Sequence, residues 1–258
     1  MLKGQRILLV LFLTVNLLGQ SHGQGSAGTN GDAELRYLVD IPTAGMLQKG
    51  SIVLDVDFYQ EGGVLLGVSL GVLDRLSFGI SYGGSKLIGA DKANMNSVPG
   101  VNIKIRVIEE SVVLPAIAIG FDSQGRDGYI KDLSRYVIKS PGFYAVTSRN
   151  YLLLGFLSIH GGVNYSLERS DDDKDVNIFA GIEKTLGPTV SIMLEYNLAS
   201  NDSHAKAIGK GRGYLNAGLR WSVGSGLTLG VNLKDIIRNG TDVNVGNRTV
   251  RIEFVKAL

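Results

Sequence analysis

The residue with the clearest capacity for chemistry in this sequence is His160. Ser158, Asn164 and Ser166 lie at even spacings from it, and side chains two residues apart share one face of an extended strand. A histidine beside a serine can act as the general base that activates a nucleophilic hydroxyl. Lipid hydrolases that carry such a pair on barrel strands turn it toward the lipid, whereas His160 falls on the polar face of its segment. We therefore interpret His160 as a hydrogen-bonding residue, and we predict no catalytic residue, no metal ligand and no cofactor.

Charged side chains recur on the polar faces of similar segments. Inside a closed sheet, opposite charges can pair and fill the interior. Alternatively, rings of mixed sign can select the solutes that pass through a pore. The thirteen residues that we expect to face such an interior are Asp55, Asp57, Arg75, Lys104, Arg106, Asp122, Glu168, Glu183, Glu195, Arg220, Lys234, Arg251 and Glu253.

Two loop segments carry charge without the spacing of a known site. The acidic run 171–175 could contact divalent ions, but its spacing fits no EF-hand, so we interpret it as a solvated charge run. The basic, glycine-rich run 206–213 has no Walker spacing and is interpreted as a flexible loop.

Twelve segments with alternating apolar and polar residues would position these side chains. In one of them Ile103 and Ile105 alternate with Lys104 and Arg106, which is typical of a strand with two different faces. The sequence therefore predicts an all-β protein. The segments are 51–59, 64–72, 75–83, 101–109, 113–122, 143–149, 158–168, 176–184, 190–197, 214–223, 227–234 and 249–256.

The connections between these segments alternate between long polar loops and tight turns, such as those at 186–188 and 224–226. A meander with its long loops on one side is typical of an outer-membrane barrel. We predict an antiparallel up-and-down transmembrane β-barrel of about twelve strands, with both termini in the periplasm. A secreted or periplasmic soluble β-sandwich is the alternative, since its strands also have one apolar and one polar face. Aromatic residues near strand ends, among them Tyr82 and Trp221, favour the barrel.

The number of strands bears on the role of the charges. A barrel of about twelve strands lies between small filled barrels and open channels of about 16 to 18 strands. We favour paired charges around a narrow lumen, and pore lining remains the alternative.

Residues 1–23 have the composition of a cleaved signal peptide. Lys3 and Arg6 precede an apolar run over 7–18, and small residues place the cleavage site between Gly23 and Gln24. The chain has no cysteine, so it can form no disulfide. Of 26 basic residues, the 24 outside this segment balance 24 acidic residues, which gives no electrostatic reason to expect a nucleic acid as a partner.

Residues 24–50 lack a strand pattern. Their first part is rich in Gly, Ser and Asn and is interpreted as a flexible leader. The remainder could form an extra strand, a periplasmic peg or a plug. The barrel domain is predicted over residues 51–258.

Three segments resemble the YjbH-type family of outer-membrane proteins linked to exopolysaccharide operons. They are 41–46 with Gly50, 115–120 and 144–151, and the resemblance extends over residues 36–165. Gly45 stands where the family usually has arginine, and the chain leaves room for a single barrel. The resemblance implies an outer-membrane barrel and provides no active site to carry over.

The function that follows is that of a non-enzymatic barrel in the outer membrane of a diderm bacterium. The resemblance implies a role in exopolysaccharide export or envelope biogenesis. A small passive porin and a lumen-filled structural or adhesive barrel are the alternatives. The expected partners are outer-membrane lipid and lipopolysaccharide, the barrel-insertion machinery and polysaccharide.

Overall fold

The fold is known from a computed structural model, which describes residues 27–28, 33–204, 206–241 and 247–258. The predicted signal peptide, with Gly23 and Gln24 at its cleavage site, lies outside the described residues. Among the described residues, no helix is both long and apolar enough to cross a membrane.

Within the described residues, twelve antiparallel strands form one closed sheet, as predicted, and a two-residue strand, Asn94–Met95, pairs with Gly84 and Ser85 at its rim. Each strand pairs with the next along the chain, and the first pairs with the last from Ser51 opposite Ala257 to Phe58 opposite Val250. The strands are β1 (Ser51–Tyr59), β2 (Gly63–Leu73), β3 (Leu76–Ser85), β4 (Gly100–Ile108), β5 (Ala116–Asp122), β6 (Gly142–Leu152), β7 (Phe156–Tyr165), β8 (Asn177–Leu186), β9 (Val190–Asn197), β10 (Tyr214–Gly224), β11 (Leu227–Lys234) and β12 (Asn247–Ala257).

The two faces of the barrel wall have opposite polarity. Lys104 and Glu195 face the interior and are 2% and 1% exposed, whereas Leu66 and Val231 on the outer face are 56% and 54% exposed. A soluble domain would bury its apolar residues and expose its charged ones. The soluble β-sandwich is therefore the wrong alternative, and the alternation of the sequence reflects an apolar solvent outside the wall.

Two connections in the structure differ in position from those implied by the predicted segments. β4 ends at Ile108 and β5 begins only at Ala116, because Ser111 Oγ accepts the backbone N–H groups of Val113 and Leu114 in place of a ladder partner. The predicted segment 143–149 continues to Leu152 in β6, and the turn after it contains Leu154 and Gly155, which have positive φ angles of 46° and 96°.

The long loop between β5 and β6 carries a hairpin of its own. Its strands Arg126–Ile130 and Arg135–Ile138 are joined by a short 3₁₀ turn, Lys131–Leu133. Asp127 at the base of this hairpin accepts a hydrogen bond from Lys234 Nζ at 3.0 Å. The hairpin is thereby fastened to the long-loop end of the barrel wall.

Candidate functional site

The lumen is occupied by residues 33–47, which we call the plug. The plug turns back on itself, because Leu38 N–H donates to Ile41 O and Thr43 N–H donates to Arg36 O, each at 3.0 Å. All four residues are buried. The sequence was compatible with an extra strand, a periplasmic peg or a plug for this segment, and in the structure the segment lies inside the barrel.

The apolar side of the plug packs against an apolar patch on the inner wall. This patch is unusual because most inward-facing residues of the wall are polar. It offers small side chains beside larger ones, so plug and wall can pack closely. The plug contributes Leu35, Leu38, Ile41 and Ala44, and the wall contributes Ala116, Ala118, Tyr144, Val146, Phe179 and Met193.

Glu195 on β9 holds the tip of the plug. Its carboxylate accepts the consecutive backbone N–H groups of Val39, Asp40 and Ile41 at 2.8, 3.0 and 3.2 Å. Asn216 Nδ2 donates to the same carboxylate at 2.7 Å. Hydrogen bonds to an ionised acceptor are about twice as strong as neutral ones, so this single side chain fixes three residues of backbone.

Cationic side chains of the wall donate hydrogen bonds to backbone carbonyl groups of the turned plug. Lys104 Nζ on β4 donates to the carbonyls of Arg36, Thr43 and Gly45 at 3.1, 3.1 and 3.2 Å. Arg220 on β10 donates to the carbonyls of Tyr37 and Leu38 at 3.0 and 3.2 Å. These contacts satisfy buried carbonyls that would otherwise be costly to remove from water.

Arg106, also on β4, contacts the plug at Ala44 and Glu34, near its two ends. It donates to Ala44 O through Nε and Nη2 at 3.1 and 2.7 Å. It also forms a salt bridge with Glu34 and a second one with Glu109 at 3.1 Å.

The charged side chains of the plug pair with charges on the wall. Arg36 lies 2.8 Å from Glu253 and 3.4 Å from Asp55, on β12 and β1. Asp40 lies 2.8 Å from Lys234 Nζ on β11. The plug therefore reaches the walls on either side of the seam where the barrel closes.

Two further contacts join residues that are distant in sequence. Arg251 Nε and Nη2 lie 2.5 and 2.8 Å from the two carboxylate oxygens of Asp57, across the β1–β12 seam. Tyr37 in the plug donates its hydroxyl hydrogen to Asp122 at 2.8 Å.

Arg75 and Glu168 lie outside the lumen. Arg75 is in the turn before β3, where its exposed guanidinium lies 3.2 Å from Glu109. Glu168 follows the end of β7 and accepts the backbone N–H groups of Tyr136 and Ser140 at 2.9 and 3.0 Å. Burial raises the pKa of Glu168 although these hydrogen bonds oppose the shift. Both positions result from strands that are shorter at these ends than the alternation suggested.

The acidic run 171–175 is only partly solvated, so its interpretation as a solvated run is wrong. Asp171 and Asp173 are 0% and 1% exposed. Arg135 Nη1 lies 2.6 Å from both Asp171 and Asp202, and Lys139 Nζ lies 2.7 Å from Asp171. The loop is folded around two cations, Arg135 in the hairpin between β5 and β6 and Lys139 directly after it.

Asp173, Asp175 and His204 bring ligand atoms close enough together to hold a metal ion. His204 Nδ1 lies 3.0 Å from Asp173 Oδ2, and this hydrogen bond and the negative charge raise the pKa of His204. Asp173 Oδ2 also accepts the backbone N–H groups of Ser203 and His204. The oxygen is thus already used for loop structure, and we assign no metal here.

His160 lies on the inner wall and is 5% exposed. Its Nδ1 is 2.8 Å from Ser148 Oγ, which also accepts the backbone N–H of Ala44 at 2.9 Å. A serine that supports the plug in this way is a structural link between wall and plug. The interpretation of His160 as a hydrogen-bonding residue agrees with these contacts.

The residues that sequence reasoning missed are those of the plug itself. Glu34, Arg36 and Asp40 are charges spaced through an otherwise apolar stretch. Charged residues spaced through a short apolar segment indicate that the segment contacts a polar interior, and this pattern could have identified the plug. Their partners on the wall could not be named without the barrel.

A closed antiparallel barrel with an apolar outer wall and a charged, polar interior defines an outer-membrane β-barrel of the bacterial envelope. A family model described as exopolysaccharide biosynthesis protein YbjH matches residues 35–249, so the chain belongs to the YjbH family. The match covers most of the plug and nearly all of the barrel, and it confirms the resemblance found in three short segments. The chain is thus an outer-membrane barrel linked to exopolysaccharide.

Among solved structures, the chain is similar to one described as a KdgM porin. The two share 13% identity with a TM-score of 0.46, over 81% of this chain and 99% of that chain. No curated protein matches the sequence.

Proposed function

We propose that this protein assists exopolysaccharide export or envelope biogenesis at the outer membrane of a diderm bacterium, as a non-enzymatic barrel that is closed at rest. The observation that carries the closed state is the plug, whose residues 33–47 lie across the lumen. Membership of the YjbH family supports the link to exopolysaccharide.

The plug favours a closed barrel over a small passive porin. It is bound by side chains of β1, β4, β5, β6, β9, β10, β11 and β12. A solute could pass only if many of these contacts broke together, and most of them involve a charged group. Buried charges that lose their partners are strongly destabilising. Transport through this barrel would therefore require a separate opening step.

The outer wall supports outer-membrane lipid and lipopolysaccharide as the surroundings of the protein. Apolar side chains such as Ile80 and Val231 face outward and are half exposed. A barrel of this kind also needs the insertion machinery of the outer membrane as a partner during assembly.

The experiment that tests this proposal compares a strain without the gene, a strain complemented with the wild-type gene, and the parent. We expect the amount or the size of secreted exopolysaccharide to change on deletion and to return on complementation. Purified wild-type protein in a planar bilayer is expected to show no steady conductance. Unchanged exopolysaccharide would refute the assignment to its export, and steady conductance would refute the closed state.

A further inference from the structure

A cavity of about 400 Å³ lies beneath the plug, at the tight-turn end of the barrel. Its roof is formed by plug residues that include Leu35 and Ala44, and its wall includes Ser158, His160 and Glu183. Pockets for small molecules usually measure about 300–1,000 Å³. The cavity is therefore large enough for an organic ligand rather than for a single ion.

The hydrogen bonds of His160 determine which of its ring nitrogens is free. Ser148 Oγ accepts the N–H of Ala44 and lies 2.8 Å from His160 Nδ1. The Ser148 oxygen already accepts one hydrogen bond, and its hydroxyl hydrogen is satisfied when Ser148 donates to His160 Nδ1. Neutral imidazole then carries its hydrogen on Nε2. Among the described residues, Nε2 has no hydrogen-bond partner although it is buried.

Glu183 supplies a free acceptor close to this donor. Ser158 lies opposite Glu183 and His160 lies opposite Gly181 in the β7–β8 ladder, so His160 and Glu183 are diagonal neighbours on the inner face. Glu183 is 4% exposed, and within the described chain its Oε1 has no hydrogen-bond partner. Buried donors and acceptors without a partner are rare in native proteins, and two of them lie here on neighbouring strands.

The charges around the cavity restrict the class of ligand. Four carboxylates line it, those of Glu34, Glu109, Glu110 and Glu183, with Arg106 as the cation among them. Arg106 is already paired with Glu34 and Glu109. A ligand with its own carboxylate or phosphate would meet an excess of negative charge. A hydroxyl group fits, because it can donate to Glu183 Oε1 and accept from His160 Nε2 at the same time.

We propose that this cavity binds an uncharged sugar unit, with one of its hydroxyl groups bridging His160 Nε2 and Glu183 Oε1. The proposal rests on the proposed function for its link to exopolysaccharide, and it adds the site and the sugar class. Because plug residues form the roof, the sugar binds to the closed barrel and stabilises the plug in place, as any ligand that binds one state preferentially does.

The test is calorimetric titration of the full chain in a zwitterionic detergent, since a sugar-based detergent would compete for the site. The probes are a neutral gluco-oligosaccharide of four units and an oligouronate of equal length. We expect the neutral probe to bind and the oligouronate to bind at least about tenfold more weakly. His160→Ala removes a neutral hydrogen bond and should weaken binding of the neutral probe by about two- to tenfold. Glu183→Gln keeps an acceptor oxygen but removes its charge, and should weaken binding by a similar factor.

Two control variants make the result specific. His160→Gln keeps an N–H near the position of Nε2 and should recover much of the affinity, which a purely structural role would not require. His204→Gln, in a loop at the other end of the barrel, should bind as the wild type does. Heat-modifiable migration on gels verifies that each variant is folded.

Equal binding of both probes, or wild-type affinity in His160→Ala and Glu183→Gln, would overturn the site. So would failure of the neutral probe to bind, which would leave the cavity to water. If gene deletion still alters exopolysaccharide in that case, the proposed function stands without this site. If the sugar binds but deletion leaves exopolysaccharide unchanged, the site stands and the proposed function fails.

Discussion

Glu195 illustrates at the residue scale what alternation in a sequence can and cannot predict. Its place on the polar face of β9 follows from its even spacing to Ser191 and Met193. Its role does not, because the backbone groups that it accepts begin at Val39, 156 positions away. The same holds for Arg251 and Asp57, which are 194 positions apart. A face can be predicted locally, whereas a partner depends on how the barrel closes.

The pair of His204 and Asp173 makes the loop between β9 and β10 sensitive to pH. The hydrogen bond to Asp173 raises the pKa of His204. Burial acts to raise the pKa of Asp173, but the N–H of Ser203 and the contact with His204 outweigh it and lower that pKa. His204 stabilises the folded loop fully below its unfolded pKa of about 6.5, and this stabilisation is lost as the pH rises through the raised folded pKa. Asp173 stabilises the folded loop above its unfolded pKa of about 3.9, and this stabilisation is lost as the pH falls through the lowered folded pKa.

We therefore expect the pair to order the loop best between about pH 4 and pH 6.5. NMR titration of the His204 ring in the full chain should give a midpoint above the ordinary histidine value. In Asp173→Asn the midpoint should fall back toward that value, and in the control Asp172→Asn, an exposed neighbour, it should stay raised. An unchanged midpoint in Asp173→Asn would show that the pair does not act as described.

At the scale of elements, the strands were predictable and the plug was not. A strand in this wall meets lipid on one side and a polar interior on the other, so its sequence must alternate. The plug meets side chains of the wall on all sides, and its backbone groups bond to Glu195, Lys104 and Arg220. Such a segment shows no regular alternation of apolar and polar residues. The sequence alone therefore could not distinguish an extra strand, a peg and a plug.

Gly181 on β8 is a point at which wall and plug lie too close for an added side chain. A Cβ at this position would lie 2.4 Å from Leu38 Cδ1 and 2.7 Å from the backbone oxygen of Leu194. Because a backbone atom of the neighbouring strand cannot easily move, we expect Gly181→Ala to lower the free energy of unfolding by about 1–3 kcal/mol. Urea unfolding in detergent, followed by heat-modifiable migration, measures this change.

Gly230→Ala is the matched control, because Gly230 also faces the lumen and its added Cβ would make ordinary contact at 3.4 Å with Arg251 Cβ. Its free energy of unfolding should differ from that of the wild type by less than about 0.5 kcal/mol. Equal stability of the two variants would mean that the plug does not pack against β8 as closely as described.

At the scale of the whole molecule, barrel and plug are held by different kinds of contact. The barrel is a closed ladder in which every strand has two neighbours, so it has no free edge at which to open. The plug is held by side chains of the wall, and its Arg36 pairs with Asp55 and Glu253 on the two sides of the seam between β1 and β12. Release of the plug would break these side-chain contacts and leave the ladder of the wall in place, so we expect the plug to be the part that moves if the barrel opens.

A disulfide between the plug and β10 should abolish this movement. Val39 Cγ2 lies 3.3 Å from the position of a Cβ at Gly218, so the side chains of residues 39 and 218 would meet, as a disulfide requires. The same Cβ would lie 2.6 Å from Met193 Cε and from Asn232 Oδ1, and these side-chain ends must move aside. The chain has no native cysteine to interfere. In a planar bilayer with rising urea, we expect wild-type protein to begin conducting once the plug is released. The oxidised Val39→Cys/Gly218→Cys variant should stay closed at the same urea concentration, and reduction should restore conductance. If the oxidised variant opens like the wild type, conductance arises from the wall, and the plug is not the element that closes the barrel.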